Sequence, residues 1–107
     1  MIICVIEFGV KPGMDDVRKK LLAEMFVELE TFEGFLGKET FEDCEKRGRL
    51  ITISRWSDSE ALARWMRNRA HMRSISIGRR EVFTYYDIQI MELQREKRWE
   101  APTDTAQ

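Results

Sequence analysis

The stretch Arg55-Trp56-Ser57-Asp58-Ser59-Glu60-Ala61-Leu62-Ala63-Arg64-Trp65-Met66-Arg67-Asn68-Arg69-Ala70-His71-Met72 decides the fold. Trp56 closes a strand-like run, Leu50 to Trp56. Ser57 and Glu60 then have the Ser-x-x-Glu spacing of a capping box, which starts a helix by satisfying free N–H groups in both directions. Leu62, Trp65 and Met66 fall on the inward side of that helix. The stretch holds two of the 3 tryptophans and the single histidine of the chain. Trp65 and His71 are thereby brought near one helix–sheet seam, where a small pocket can form.

Outward from this junction the other elements fall into place. Ile2 to Phe8 reads as a strand, with apolar residues at consecutive positions rather than alternate ones. Such a run suits a strand covered on both faces. Lys11-Pro12-Gly13 is a turn. Met14 to Thr31 reads as a helix, with Asp15 and Asp16 near its positive end. Val17, Leu21, Leu22, Met25, Phe26 and Leu29 form its buried stripe, and Gly34 stops it. Phe35 to Cys44 is a second strand, with Phe35, Gly37, Glu39 and Phe41 on one side. Lys46-Arg47-Gly48 is a hairpin turn. The end of the second helix is open: Met72 to Gly78 either extends it or forms a loop. Glu81 to Leu93 is a fourth strand rich in Val, Phe, Thr, Tyr and Ile.

The order β-α-β-β-α-β predicts an α+β, ferredoxin-like domain. Its four-stranded antiparallel sheet carries two helices on one face. We expect one folded domain over residues 1–95 and a flexible tail over 96–107. The other sheet face is then a problem. Ile2, Cys4, Ile6 and Phe8 point one way from the first strand, and Ile3 and Val5 the other. On the fourth strand, Val82, Tyr86, Ile88 and Ile90 oppose Phe83, Tyr85, Met91 and Leu93. Two helices cannot cover both sets. Leaving such a surface wet costs roughly 25 cal/mol per Å². A second copy of the sheet is the simplest cover, so a two-fold homodimer is expected.

Composition narrows the partners. In 107 residues, 18 basic and 19 acidic side chains leave a net charge of −1. That is no footprint for nucleic acid or an anionic membrane, and no apolar run approaches the roughly 20 residues of a membrane span. Met1 to Phe8 has no basic leader and contains Glu7, so it reads as a strand and not a signal peptide. The 2 cysteines, Cys4 and Cys44, are widely separated, which fits free thiols in a reducing cytoplasm. One histidine and two distant cysteines do not make a zinc site. Gly-x-Ser-x-Gly and glycine-rich phosphate loops are both missing.

The ordered set of segments resembles the antibiotic biosynthesis monooxygenase (ABM) family of dimeric α/β-barrel proteins. The matching pieces are the first strand with Lys11-Pro12-Gly13, then Glu33-Gly34-Phe35-Leu36-Gly37, then Trp56-Ser57-Asp58-Ser59-Glu60-Ala61-Leu62. Trp65, His71 and Phe83-Thr84-Tyr85-Tyr86-Asp87-Ile88 continue it, over residues 2 to 93. The resemblance implies a dimeric ferredoxin-like fold and a choice of activities. Some relatives oxygenate aromatic polyketides or quinol-like compounds with dioxygen and neither metal nor flavin. Others bind and degrade haem, or degrade small signalling molecules. The haem-degrading branch uses an Asn on the first strand, a Trp on the second helix and a His further along it. Here the first strand has Ile6 and Glu7 in that region, and His71 follows Trp65 by only six residues, so that triad does not carry over and haem is not favoured.

The resemblance therefore implies a cytoplasmic, cofactor-independent monooxygenase using dioxygen as co-substrate on a small aromatic, polyketide or quinol-like compound. The rival is a non-catalytic small-ligand-binding or stress-response dimer. Candidate catalytic residues are His71 and Asn68. His71 has the one side chain that titrates unperturbed near neutrality, and as a base it would take the proton of a phenol or enol. Its plain alternative is a helix-end histidine favoured by a C-terminal dipole. Asn68, one turn from Trp65, would orient a carbonyl or peroxide, or simply face solvent. Candidate substrate-binding residues are Trp65, Trp56, Tyr85, Tyr86 and Glu7. Either tryptophan serves as pocket wall or core filling. Tyr85 and Tyr86 point to opposite faces. Glu7 would have a raised pKa if buried, or would sit solvated at the sheet rim. The arginines at 64, 67, 69, 73, 79 and 80 form a basic cluster or a solvated helix face.

Overall fold

The structure, a computed structural model, describes residues 1–103. The elements in chain order are β1 (Ile2–Val10), α1 (Asp15–Leu29), β2 (Phe35–Glu42), β3 (Arg49–Trp56), α2 (Ser59–Met66), α3 (Arg69–Ile77) and β4 (Phe83–Glu92). Gly78–Val82 is a single π-helical turn between α3 and β4. The strands form one antiparallel sheet in the order β2-β3-β1-β4. This is the ferredoxin-like α+β arrangement. No helix among the described residues is long and apolar enough to cross a membrane. Residues 96–103 of the expected tail carry no helix or strand, and Trp99 is 77% exposed. Residues 104–107, the rest of that tail, lie outside the described residues.

Local chemistry explains the junctions, and in four places corrects the sequence reading. The second helix starts at Asp58, not through a Ser57–Glu60 box. Asp58 Oδ1 accepts the Ala61 N–H at 2.8 Å, the usual service of an N-cap acid, while Ser57 Oγ donates to Asp58 Oδ2. That helix also ends early. Asn68 caps a new one, so three helices, not two, accompany the sheet. On α1 the buried stripe holds Arg18, 8% exposed, while Val17 is exposed. The Arg18 guanidinium is retained by Asp15 through Nε and Nη2, at 3.0 and 2.9 Å, so its stem can cover apolar surface.

The fourth correction concerns strand faces. A bulge inserts one extra residue into a strand and so turns its neighbours to the other face. On β2, Phe35 opposes Trp56 but Gly37 opposes Arg55, so Leu36 is the extra residue. Phe35 thereby joins the helix-side core instead of sharing a face with Glu39 and Phe41. On β4, Tyr85 opposes Gly9 and Phe83 opposes Val10, leaving Thr84 unmatched. Phe83 therefore lies on the same side as Tyr86. Gly9 permits the β4 bulge: a Cβ there would fall 2.3 Å from Thr84 Oγ1.

The core lies between helices and sheet. Cys4, Leu29, Trp56, Ala61, Leu62 and Trp65 form its buried centre, with Phe26, Phe32 and Phe35 packed against it. Gly34 ties α1 to α2. Its φ of 91° suits glycine, its carbonyl accepts the Ser57 N–H, and a Cβ would sit 2.4 Å from that of Ala61.

Candidate active site

A cavity of about 110 Å³ opens between the helices and the inward face of the sheet. Its floor comes from alternate strand residues: Cys4, Ile6 and Phe8 of β1, Thr52, Ser54 and Trp56 of β3, and Tyr86 and Ile88 of β4. Trp65, Met66, His71 and Ile75 supply the α2–α3 wall, and Leu22, Met25 and Leu29 the α1 wall.

Of the residues selected from sequence, Trp56, Trp65, His71 and Tyr86 line this cavity together. Trp56 is 1% exposed and Trp65 4%. The Trp56 indole donates to Ser54 Oγ at 3.0 Å, which settles its one polar atom. Trp65 packs on Trp56 and Phe32, with centroids 6.5 and 5.2 Å away. Tyr86 Oη accepts from Arg79, through Nε at 2.7 Å and also through Nη2. Arg79, a member of the basic cluster, thus touches a cavity residue through its side chain.

His71 stands in the first turn of α3, its ring centroid 5.4 Å from that of Trp65. It is at the positive end of a helix, not the negative end. Burial lowers its pKa from 6.5, and outweighs the Met66 carbonyl, which favours the charged ring. The helix N-terminus acts in the same direction as burial. Nδ1 is buried without a hydrogen-bond partner among the described residues. A buried polar atom left unpaired is costly, so a ligand group that pairs with it is favoured. The result is a neutral imidazole at pH 7 against an apolar wall, suited to accept a proton.

Asn68 does not line the cavity. Its Oδ1 accepts the N–H groups of Ala70 at 2.8 Å and His71 at 3.2 Å. It fixes the turn that carries His71 and acts on the cavity only through that turn. Asn68→Ala is expected to lower stability by about 1 kcal/mol, read as a shift in urea midpoint, while Asn68→Asp keeps the cap and most of the stability.

Glu7 and Tyr85 lie on the opposite face of the sheet from the cavity, as β1 alternation requires. Tyr85 Oη donates to Glu7 Oε2 at 2.9 Å, and Arg49 bridges Glu7 and Asp43 at 2.6 and 3.0 Å. Arg49 first, and then the Tyr85 hydroxyl, holds the Glu7 carboxyl below its usual range. Glu7 is therefore an ionised member of a surface network, not a buried acid of raised pKa.

Sequence reasoning missed Lys38, Met25 and Phe83 as cavity residues. Phe83 was hidden by the β4 bulge. Lys38 had a signal: it falls opposite Ser54 in the β2–β3 register, on the strand face that meets the helices. Cys4 also lines the cavity. Burial, partly offset by Ser54, raises its pKa and keeps it a thiol.

The cavity does not suit haem: about 110 Å³ is small for a macrocycle, and its β1 wall is made of Cys4, Ile6 and Phe8. Among the described residues no group of three or more His, Cys, Asp or Glu is placed to hold a metal ion.

Comparison with known proteins gives the fold and the family. A putative antibiotic biosynthesis monooxygenase from Deinococcus radiodurans superposes with a TM-score of 0.84 at 15% identity, covering 94% of this chain and 100% of that one. SnoaB of Streptomyces nogalater, a cofactor-independent oxygenase, superposes with a TM-score of 0.77 at 16% identity, over 89% of this chain and 94% of its own. At such identities these likenesses speak for the fold alone. In sequence, the uncharacterized protein YqjZ of Bacillus subtilis is 28% identical over 83 residues, 77% of this chain and 71% of its own length. The sequence profile of the antibiotic biosynthesis monooxygenase family matches residues 1–75, and the chain belongs to that family.

Proposed function

We propose that this protein is a cofactor-independent monooxygenase of a small phenolic or quinol-like compound, with His71 as base. The observation that carries this reading is the joint lining of one small apolar cavity by His71, Trp65 and Trp56. Volume favours the smaller substrates. About 110 Å³ is near the roughly 150 Å³ of an apolar cavity that takes benzene. A single-ring hydroquinone suits it better than a fused polyketide. His71 would take a proton from the ring hydroxyl. The electron-rich anion passes one electron to dioxygen, and the radical pair joins at a ring carbon. The O–O bond then breaks as that carbon loses its hydrogen. One oxygen stays as a ring carbonyl; the other leaves as water with two substrate hydrogens. The substrate thus supplies all the electrons. SnoaB, described as a cofactor-independent oxygenase, supports this choice by its fold. Dioxygen uptake with a panel of single-ring hydroquinones tests it. Uptake above the protein-free rate supports the reading. No uptake with any of them favours a ligand-binding dimer.

We further propose that the protein works as a cytoplasmic homodimer joined through the open sheet face. Ile3, Val5, Ile51, Ile53, Phe41 and Met91 share that face by alternation and register. Phe41 is 52% exposed and Met91 43%. The free thiols of Cys4 and Cys44 suit a reducing compartment. Sedimentation at micromolar concentration should give a dimer. Ile53→Lys, opposite Val5 near the middle of the face, should place two unpaired charges in the interface and weaken the dimer by about 100-fold or more.

A further inference from the structure

We propose that Lys38 selects substrates bearing a ring carboxylate, so that the preferred ligand of this cavity is a hydroxylated single-ring aromatic acid. The inference rests on the cavity assigned above and deepens it. Lys38 projects from β2 toward the helices and lines the cavity. It also lines a shallow outer groove with Arg18, Lys19, Leu22, Ala23 and Phe26. Leu22 and Lys38 belong to both, so the Lys38 side chain spans the place where cavity and groove meet. Its Nζ lies 5.3 Å from the Phe26 ring centroid, which holds it at that junction.

The charges around it are unbalanced. Asp15 engages Arg18 and Lys19. Glu39, the neighbour of Lys38 on β2, turns to the other face and pairs with Arg55. Among the described residues no carboxylate lies within ion-pair distance of Lys38. Burial, and then the nearby Arg18 charge, lower its pKa from 10.5. A half-buried ammonium with no carboxylate beside it among the described residues has lost part of its hydration without a charge partner. A bound carboxylate would give Nζ a charge-assisted hydrogen bond and reverse that shift. The ring would lie in the apolar cavity with its hydroxyl available to His71.

Isothermal titration with 2,5-dihydroxybenzoate and its neutral amide tests this without reference to turnover. The acid is expected to bind the wild type about tenfold or more tightly than the amide. Lys38→Met should abolish the preference, read as the ratio of acid to amide affinity within the variant, and Lys38→Arg should restore part of it. Equal affinities in the wild type, no binding of the acid, or a preference kept by Lys38→Met would each overturn the proposal. Dioxygen uptake separates the two readings. A Lys38-dependent preference without uptake supports this inference while removing the oxygenase. Uptake with neutral quinols and no preference for the acid does the reverse.

Discussion

Trp56→Ala is expected to destabilise the protein by about 3–5 kcal/mol, measured by urea unfolding at fixed protein concentration. Trp56 is 1% exposed and touches Phe32, Phe35 and Trp65, with centroids 6.3, 5.3 and 6.5 Å away. Its removal combines lost transfer energy with a void that the rigid strand floor cannot close. It also leaves Ser54 Oγ without the indole donor at 3.0 Å. Small domains are stable by about 5–15 kcal/mol in total, so this one change consumes a large share. Trp56→Phe keeps much of the packing and should cost less than half as much. A loss below about 1.5 kcal/mol for the alanine variant would mean that this end of the sheet is not a packed core.

Much of this architecture was readable from residue types and spacing. The apolar run of β1, the turn glycines and the stripe on α1 place the elements, because each follows from backbone geometry and one period of hydrophobicity. The capping residue was harder. Ser57 and Glu60 have the right spacing, yet the Asp58 carboxylate lies one residue on and takes the role. Two bulges were not legible at all. An extra residue in a strand changes its facing only through the pairing partner, which a single strand does not encode. This is why Phe35 and Phe83 were assigned to the wrong sides. The site divides in the same way. Trp56, Trp65, His71 and Tyr86 meet because helix and strand periods bring them to one seam. Glu7 and Tyr85 failed to join them for the same reason, since β1 and β4 alternation carries both to the other face. Lys38 is not readily legible as a cavity residue, because β2 is an edge strand and charged side chains are common on edges.

His71→Ala is expected to reduce kcat for hydroquinone oxygenation by about 10²–10⁴-fold, with a smaller loss of affinity from the missing hydrogen bond at Nδ1. The proton transfer is removed, while the Trp56 and Trp65 walls that hold the ring remain. The pH profile distinguishes a base from a residue that merely fills space. The neutral imidazole is the active form, and its pKa in the fold is depressed below 6.5. The wild-type kcat/KM should therefore climb as pH rises through a value below 6.5 and level off above it. The alanine variant should lack that limb. The same depression means that the unfolded chain binds this proton more readily than the fold. His71 thus lowers stability as pH falls below 6.5, while above it the neutral ring carries no such penalty. The variant should accordingly lose less stability than the wild type between pH 7 and pH 5. Unchanged turnover in His71→Ala, with the acid limb intact, would remove the base from the mechanism. Tyr86 Oη is a poor replacement, because it already accepts from Arg79, so the next group to test as proton acceptor would be Lys38, the cavity amine whose pKa burial lowers.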